Sequence, residues 1–443
     1  MPYVRTYSSE YSLFPRVVPA GWKGELVVTG DYPHTRPQEG AEYSYELRSA
    51  FYDASGSRLK EPVVGVVTPD ADGRLVIPFA PDVVGEWQLT IDSEHVRSRN
   101  LPCKLGLFAQ PRQWYAYRPC IGELHAHSTG SDGGQEPAYV PVRGRSFGMD
   151  FFALTDHRNF QAALEMKEKL GGALGRRMVL LAGEELHPEP EDVGGGDRPA
   201  VHNHTYHYVS IGQRCSVRDA CLADPEAAAR EIAGIADELR NRGVEEGLDV
   251  RGYAEGVWKL RQARELGGTT VLAHPYWGGW PMNLDRAAIE QSLRDREADA
   301  VEALSRADPS TFMDSRLIEL AAEGITWPLV GVSDGHNWNA SSPFSYCTFV
   351  MAESLSPDGV LEAVRAGRTV ACCLGDSPRY LGPLALVEFA GFYMDCLLPL
   401  KRDRMALQAE MAFSYLRGGA FSEELTGQID AELAALEQQL WAD

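Results

Sequence analysis

The stretch Phe151-Phe152-Ala153-Leu154-Thr155-Asp156-His157 passes from four apolar residues directly into three polar ones. Four consecutive apolar residues are typical of a strand buried on both faces, so the polar residues would lie at its end. Similar apolar runs occur elsewhere, and these are Met178–Ala182, Thr270–Ala273, Ala300–Leu304 and Leu329–Val332. We therefore predict a set of buried strands, several of which deliver a polar side chain at one end.

Segments with a helical pattern separate these strands. Asp224-Pro225 predicts a helix start, with Asp as the N-cap and Pro at the first helical position. Ile232 and Leu239 lie on one face of this helix. A second helix is expected to run to Leu266 and to stop at Gly267-Gly268. The alternation of strands and helices over residues 117–385 predicts a parallel sheet or a β/α barrel.

The regions on either side of residues 117–385 have different sequence patterns. Short segments with period-two alternation, separated by turns, predict a β-sandwich over residues 1–116. The alternating segments are Tyr43–Leu47, Leu75–Phe79 and Trp87–Ile91. We interpret this domain as structural or as a docking module. Residues 386–443 are predicted to be helical. Their apolar stripe, Leu433, Leu436 and Leu440, is expected to pack on the main domain, and a homo-oligomer contact is left open.

Histidine and acidic residues gather at the predicted strand ends. His125 and His127 are two residues apart, so on a strand they point to the same side and can chelate together. Asp132 follows in a glycine-containing loop that can bend back towards them. The further clusters are Asp156-His157, Glu184-Glu185, the stretch His202–Tyr208, His274, and Asp334 with His336. Because the carboxyl ends of barrel strands face one mouth, we expect these side chains to meet there.

The types of these side chains indicate which ions they bind. Imidazole and carboxylate without thiolate suit Zn, Mn or Fe better than Mg or Ca, which prefer oxygen ligands throughout. The set is larger than one tetrahedral ion needs, so two or three divalent ions are expected. A carboxylate would bridge two of them, and we predict Glu184 for this role.

Composition limits the partners of the chain. The sequence of 443 residues has 63 acidic and 42 basic residues, a formal net charge of −21, so nucleic acid is an unlikely partner and a small-molecule substrate is expected. It contains neither a signal-peptide pattern nor a membrane-spanning apolar run, and a cytoplasmic location is the default expectation. The eight cysteines are scattered and are expected to be reduced.

Taken in order, the clusters resemble the motifs of the polymerase and histidinol phosphatase (PHP) family over about residues 118–375. The matching residues are His125-Ala126-His127 with Asp132, Thr155-Asp156-His157, Glu184, a mid-domain His, Ala273-His274-Pro275 and Ser333-Asp334-Gly335-His336. The resemblance implies a distorted seven-stranded, TIM-like β/α barrel, metal-dependent phosphoester hydrolysis and a site with up to three ions. The flanking domains and the long loop His187–Ala200 depart from the simplest members, which leaves the substrate open.

The resemblance also implies an assignment of ligands to ions. One ion would be held by His125, His127, Glu184 and Asp334. Glu184 would bridge to a second ion on His274 and the mid-domain His, for which His207 is preferred to His204. The third ion would be held by Asp132, His157 and His336. Asp156 is expected to orient a ligand rather than to bind metal.

Our hypothesis for the reaction is attack on phosphorus by a hydroxide that bridges two ions, with Glu184 and Asp334 as the central catalytic carboxylates. Arg158 would bind the phosphate, with Arg143 and Arg306 as further candidates, and Tyr276, Trp277 and Trp338 would line the pocket or belong to the core. A phosphate-binding GxxxxGK[ST] loop is absent from the sequence. The alternatives are a carbonyl hydrolase with the same metal centre and a metal-binding module without catalysis.

Overall fold

The chain divides into two units in the computed structural model, which describes residues 7–49, 61–94, 101–187, 206–277, 286–308, 311–339, 342–375 and 377–442. The first unit comprises Met1–Tyr117, Leu384–Arg404 and Glu423–Asp443, and the second comprises Arg118–Pro383 and Met405–Ser422. Most of the loop expected at His187–Ala200, together with His202 and His204, lies outside the described residues.

The first unit contains two β-sheets with a common core. Its strands are β1 Tyr11–Phe14, β2 Val17–Pro19, β3 Gly24–Gly30, β4 Tyr43–Ser49, β5 Val63–Val67, β6 Leu75–Phe79, β7 Gly85–Asp92 and β8 Cys103–Gln110, followed by the short helix α1 Arg112–Tyr115. One sheet has the order β1-β3-β6 and the other the order β2-β8-β7-β4-β5. Alternate residues such as Leu47, Ile77 and Leu89 are buried in one cluster, as their period-two pattern predicts.

The second unit is built on a ten-stranded mixed sheet. Its strands are β9 Arg118–Glu123, β10 Phe151–Leu154, β11 Val179–Leu186, β12 His207–Ile211, β13 Thr269–Ala273, β14 Ala300–Ser305, β15 Leu329–Val332, β16 Tyr346–Ala352, β17 Thr369–Cys373 and β18 Arg379–Leu381. The order across the sheet is β15-β14-β13-β12-β11-β10-β9-β16-β17-β18. The apolar runs that we predicted to be strands lie within β10, β11, β13, β14 and β15 or overlap them.

Helices connect most of these strands. They are α2 Tyr139–Ser146, α3 Phe160–Leu170, α4 Val217–Ala223, α5 Pro225–Arg242, α6 Val250–Glu265, α7 Arg286–Asp295, α8 Phe312–Ala322 and α9 Pro357–Arg365, with a 3-10 turn at Ser342–Ser345. The predicted start of α5 is confirmed, because the Asp224 side chain accepts a hydrogen bond from the Ala227 N–H at 2.9 Å. Gly267 follows α6 with a φ of 90°, which explains why this helix ends there.

The sheet differs from the expected seven parallel strands in two ways. β12 runs antiparallel to both β11 and β13, while the pairs on either side of this segment are parallel. β16, β17 and β18 form antiparallel pairings beyond β9, and helix α9 connects β16 to β17. The seven strands β9 to β15 therefore carry three additional strands that the sequence analysis did not include.

β15, at one end of this order, approaches β16 and β17 at Gly331, so the sheet is nearly a closed barrel. The Gly331 N–H donates to Oγ1 of Thr348 on β16 at 3.1 Å, and that hydroxyl donates to the Gly331 carbonyl at 2.8 Å. A Cβ on Gly331 would lie 2.5 Å from the carbonyl oxygen of Cys347 and 2.6 Å from the nitrogen of Cys372. Only glycine permits this approach.

The C-terminal region is helical, as expected, and its helices belong to both units. They are α10 Leu384–Phe392, a π-helical turn Tyr393–Leu397, α11 Leu398–Leu416 and α12 Glu423–Leu440. Residues 405–422 are grouped with the second unit, and the segments on either side are grouped with the first. Among the described residues, no helix combines the length and the apolar character needed to cross a bilayer.

The contact at Gly331 leads to a prediction about stability. Gly331→Ala should destabilise the protein by about 2 kcal/mol, because the new methyl group meets backbone atoms that side-chain rotation cannot move away. The exposed helical Gly234 has open space around its Cβ position, so Gly234→Ala should be neutral or stabilising by up to about 1 kcal/mol. Thermal and urea unfolding of both variants would measure this, and equal stability of the two would contradict the proposed barrel closure.

Candidate metal centre

Two loops that follow strands place the first histidines. His125 and His127 come directly after β9, and both side chains are fully buried. The His127 N–H donates to the Gly335 carbonyl at 3.0 Å, so this loop runs beside the one that carries Asp334 and His336. The pair His125 and His127 therefore meets the cluster of Asp334 and His336, as we predicted from their positions at strand ends.

Glu185, and not Glu184, faces the histidines, which corrects our expectation that Glu184 would be the carboxylate shared by two ions. Glu184 points to the other side of β11, where its carboxylate accepts hydrogen bonds from the Val217 N–H at 2.6 Å and the Ser216 hydroxyl at 2.9 Å. Adjacent residues of a strand face opposite sides, so only one of the two glutamates can reach the histidines. The catalytic role that we expected for Glu184 is therefore not available to it.

Glu185 is fully buried, and one of its oxygens faces three histidines. Oε2 lies 3.1 Å from Nε2 of His125, 3.2 Å from Nε2 of His127 and 3.1 Å from Nδ1 of His157. Asp334 joins them, because its Oδ1 lies 3.1 Å from Nε2 of His127. This side of Glu185 thus belongs to a set of nitrogen and oxygen atoms that converge on one point.

The other oxygen of Glu185 faces two further histidines. Oε1 lies 2.8 Å from Nδ1 of His207 and 3.2 Å from Nε2 of His274. His207 is the first residue of β12, and because β12 is antiparallel, its start lies at the same edge of the sheet as the end of β13. His207 therefore reaches the site from the beginning of a strand.

Three groups of side chains could each hold a metal ion, with the ligand atoms of a group within 4.8 Å of one another. We call them the central group, the aspartate group and the two-histidine group. They are, in that order, His125, His127, Glu185 and Asp334; His127, Asp132, His157 and His336; and Glu185, His207 and His274. All nine predicted ligand positions except Glu184 lie in these groups, and Glu185 belongs to two of them.

Unsatisfied polar atoms in the groups fit the binding of cations. In the described part of the chain, Oε2 of Glu185, Oδ1 of Asp334 and Nδ1 of His207 are buried and have no hydrogen-bond partner. Nε2 of His125 and Nε2 of His127 also face each other at 3.1 Å. Buried polar atoms without partners are costly, and a cation between these nitrogens and oxygens would remove that cost.

Mutual electrostatics keep the carboxylates of the site charged. Burial alone would raise the pKa of Asp334, but the nearby imidazoles of His125 and His127 outweigh it and lower the pKa. The hydrogen bond from His336 lowers the pKa of Asp132. Burial lowers the pKa of His157 to about 4, so this imidazole is neutral near pH 7. Burial alone would lower the pKa of His125 and His127, but Glu185 and the other acids outweigh it and raise the pKa, so binding of a metal to these two imidazoles would release protons.

A layer of buried acids lies behind the ligands, and sequence analysis identified only one of them. Glu302 on β14 accepts a hydrogen bond from Nδ1–H of His125 at 2.6 Å, which leaves Nε2 of His125 for a metal. Glu302 also accepts from the His274 N–H at 2.8 Å. A single acid inside the apolar run Ala300–Leu304 was the signal that could have revealed it. Asp156, which we predicted for such a role, accepts from the Ser128 N–H at 2.7 Å.

The backbone is strained at two of the ligands. His274 has a φ of 24° and Asp334 a φ of 47°, values that residues with a side chain rarely adopt. Such strain persists only where the surrounding structure enforces it, and it is concentrated at functional sites. Both residues directly follow buried strands, so the strain turns their side chains towards the groups.

Of the remaining candidate residues for the substrate pocket, two are exposed and two make structural contacts. Arg158 is exposed beside His157, with a φ of 52°, and its N–H donates to the Glu185 carbonyl at 3.2 Å. Arg306 is exposed at the end of β14. Arg143 instead donates to the Trp338 carbonyl at 3.2 Å, and the Trp338 ring is fully buried with its N–H on the Gly335 carbonyl at 2.8 Å. Arg143 is therefore structural, which corrects its proposed place at the phosphate, and Trp338 belongs to the core, which is one of the two alternatives left open for it.

Comparison with known proteins finds similarity among solved structures. Neither a protein-family model nor a curated protein matches the chain. A two-domain protein from Bacteroides vulgatus that contains a predicted PHP-like metal-dependent phosphoesterase is 18% identical, with a TM-score of 0.36, over 58% of this chain and 65% of that one. The chain thus spans just under two thirds of that protein.

Two further structures are similar at the same level. A protein from Bifidobacterium adolescentis, described as a metal-dependent phosphoesterase, is 17% identical, with a TM-score of 0.33, over 56% of this chain and 96% of that one. An amidohydrolase from Chromobacterium violaceum is 19% identical, with a TM-score of 0.32, over 49% of this chain and 87% of that one. Because these identities and TM-scores are low, we infer the function of this chain from the geometry of its own site.

The opposite orientations of Glu184 and Glu185 lead to a paired prediction. Glu185→Gln should lose most of the bound metal, because an amide nitrogen cannot replace the carboxylate oxygen that faces one of the two groups. Glu184→Gln should keep the metal and instead lose about 1–3 kcal/mol of stability, since its new amide group meets the donors that surround it. Elemental analysis after dialysis, with thermal unfolding, would measure both. Metal loss from Glu184→Gln alone would refute the assignment of Glu185.

Proposed function

We propose that this protein is a metal-dependent hydrolase, and specifically a phosphoesterase that acts on a small-molecule phosphate ester. The observation that carries the proposal is the division of the two Glu185 oxygens between two groups of histidines. A carboxylate placed in this way would serve as a ligand to a cation in each group. A structural site has no need of such a pair, because four ligands around one ion are sufficient for folding.

Charge favours an anionic substrate. Three divalent ions would carry six positive charges, and the ligand carboxylates, Asp132, Glu185 and Asp334, offset three of them. The excess positive charge remains at the ions, where the oxygens of a phosphate group would coordinate. This balance supports a phosphate ester over a neutral amide or lactone, which is the alternative with the same centre.

Divalent ions in these groups would supply activation of water near neutral pH and neutralisation of the charge that develops on phosphate oxygens. The residues of the chain position them. Glu302 fixes the tautomer of His125, so that Nε2 faces the central group. Asp156 accepts from the hydroxyl of Ser131 at 2.6 Å and so holds the loop that carries Asp132. The second-layer acids thus maintain the geometry that the reaction requires.

The proposal predicts metal-dependent hydrolysis of phosphate esters. Protein loaded with Mn, Zn or Fe should hydrolyse p-nitrophenyl phosphate or its bis ester, and chelation should abolish turnover. Asp334→Asn should reduce kcat/KM by more than the roughly hundredfold loss typical of an outer-layer partner. Asp237→Asn, on the exposed surface of α5, serves as the control.

The same experiment separates the alternatives. Selective turnover of p-nitrophenyl acetate would identify a carbonyl hydrolase and refute the phosphoesterase. Bound metal without turnover of any of these esters would refute catalysis on generic esters and favour a metal-binding module.

A second prediction concerns Arg158, which we propose as the residue that binds the phosphate. Its backbone N–H donates a hydrogen bond to the Glu185 carbonyl, and its side chain is exposed. Arg158→Ala should therefore leave the metal content unchanged. KM for the phosphate ester should rise about five- to tenfold, because one charge-assisted contact is lost. Arg158→Lys should recover part of the loss. Unchanged kinetics for Arg158→Ala would exclude this residue from substrate binding.

A further inference from the structure

Glu123, the last residue of β9, is a fully buried acid that belongs to none of the three metal groups. Its Oε1 accepts hydrogen bonds from the N–H groups of Leu124 and His125, both at 2.9 Å. Its Oε2 accepts from the N–H of Ser333 at 3.0 Å. Both oxygens are therefore bonded to the backbone, in contrast to Oε2 of Glu185, which has no hydrogen-bond partner in the described part of the chain.

These three bonds join two separate loops of the metal centre. Leu124 and His125 begin the loop after β9, whereas Ser333 begins the loop after β15, and these two strands do not pair with each other. Asp334 follows Ser333 directly. One carboxylate thus contacts the backbone of one ligand of the central group and the backbone next to another.

The contact with Ser333 also bears on the strained backbone of Asp334. A φ of 47° persists at a residue with a side chain only where the surrounding structure enforces it. Glu123 fixes the N–H of the residue before Asp334, and the His127 N–H fixes the carbonyl of Gly335, the residue after it. The end of β9 and its loop therefore hold Asp334 from both sides.

A buried carboxylate is an energetically costly way to hold a backbone segment. Thr155 holds the same loop with a neutral hydroxyl, which accepts from the Ala126 N–H at 3.0 Å and donates to the Ala126 carbonyl at 3.1 Å. Burying a charge costs more than burying a hydroxyl, so a neutral side chain would be enough to attach one loop. The carboxylate of Glu123 adds two oxygens at a fixed separation, each bonded to a different loop.

We propose that Glu123 is a positioning residue that fixes the separation of His125 and Asp334, two ligands of the central group. It acts through the backbone of both loops and touches neither metal nor substrate. Glu302 orients the imidazole of His125, whereas Glu123 places the backbone of this ligand. This inference rests on the proposed function, because it states how the chain maintains the metal geometry that the reaction requires.

Binding of Co(II) to metal-free, full-length protein tests this role without turnover, because the visible absorption of Co(II) depends on the geometry of its ligands. Glu123→Gln keeps the size of the side chain, but one oxygen is replaced by an NH2 donor that cannot accept from an N–H group. Affinity for Co(II), measured by competition with a chelator, should fall about ten- to a hundredfold. The absorption spectrum of the bound ion should also change.

Asp299→Asn is the matched control. Oδ2 of Asp299 accepts from the N–H and the hydroxyl of Thr270 at 2.8 and 2.9 Å, so this carboxylate also joins two segments, at the starts of β13 and β14. The variant should lower the melting temperature and leave the affinity and spectrum of Co(II) unchanged. If Glu123→Gln behaved in the same way, Glu123 would be purely structural and the inference would be overturned.

Glu123→Asp is a second variant in case Glu123→Gln does not fold. It keeps the charge, but its side chain is one methylene shorter, so it can bond to one loop and not to both. The same loss of Co(II) affinity and the same kind of spectral change are expected. Unfolding of both variants, with Asp299→Asn folded, would overturn the inference in favour of a purely structural role.

Kinetics separate this inference from the proposed function. With p-nitrophenyl phosphate and saturating metal, Glu123→Gln should lower kcat about tenfold or more. KM should change less than about twofold, because the buried carboxylate does not touch substrate. Absence of turnover in the unmodified protein would refute the proposed function, and the Co(II) affinity and spectrum would then still decide the role of Glu123.

Discussion

The carboxylate of Glu185 is the constraint on which the site depends. Its two oxygens face different sets of histidines, so one rigid group would be a ligand in both metal groups. The residues around it come from segments far apart in the sequence, and they are brought together only because the sheet is nearly closed. A small change in the course of β11 would therefore alter two metal groups at once.

The cost of this arrangement is met by the surrounding fold. Burying several charged and polar atoms without cations is unfavourable, and the strained backbone at His274 and Asp334 adds to that cost. The apolar cluster inside the barrel, which includes Leu124, Val271 and Val332, supplies burial on the strands that lead into the ligands. The polar layer around Glu302 then restricts how the ligands can relax.

The metal groups and Arg158 concern the anionic end of the proposed substrate, since the positive charge of bound cations and of the guanidinium would attract phosphate oxygens. Arg158 is exposed beside His157, and its N–H donates to the carbonyl of Glu185, so the proposed phosphate-binding residue and the shared carboxylate are joined through the backbone.

The sequence by itself determined the alternation of buried strands and helices, and it identified most of the side chains that meet, because apolar runs followed by His, Asp or Glu are a local pattern. Tertiary structure decided the rest. Whether Glu184 or Glu185 faces the histidines depends on which side of β11 becomes the inside, and two adjacent glutamates carry no local sign of this. The antiparallel direction of β12 places His207, and the packing of β14 beside His125 gives Glu302 its role. These are consequences of how strands pair, and strand pairing joins residues too distant in sequence for a local pattern to record.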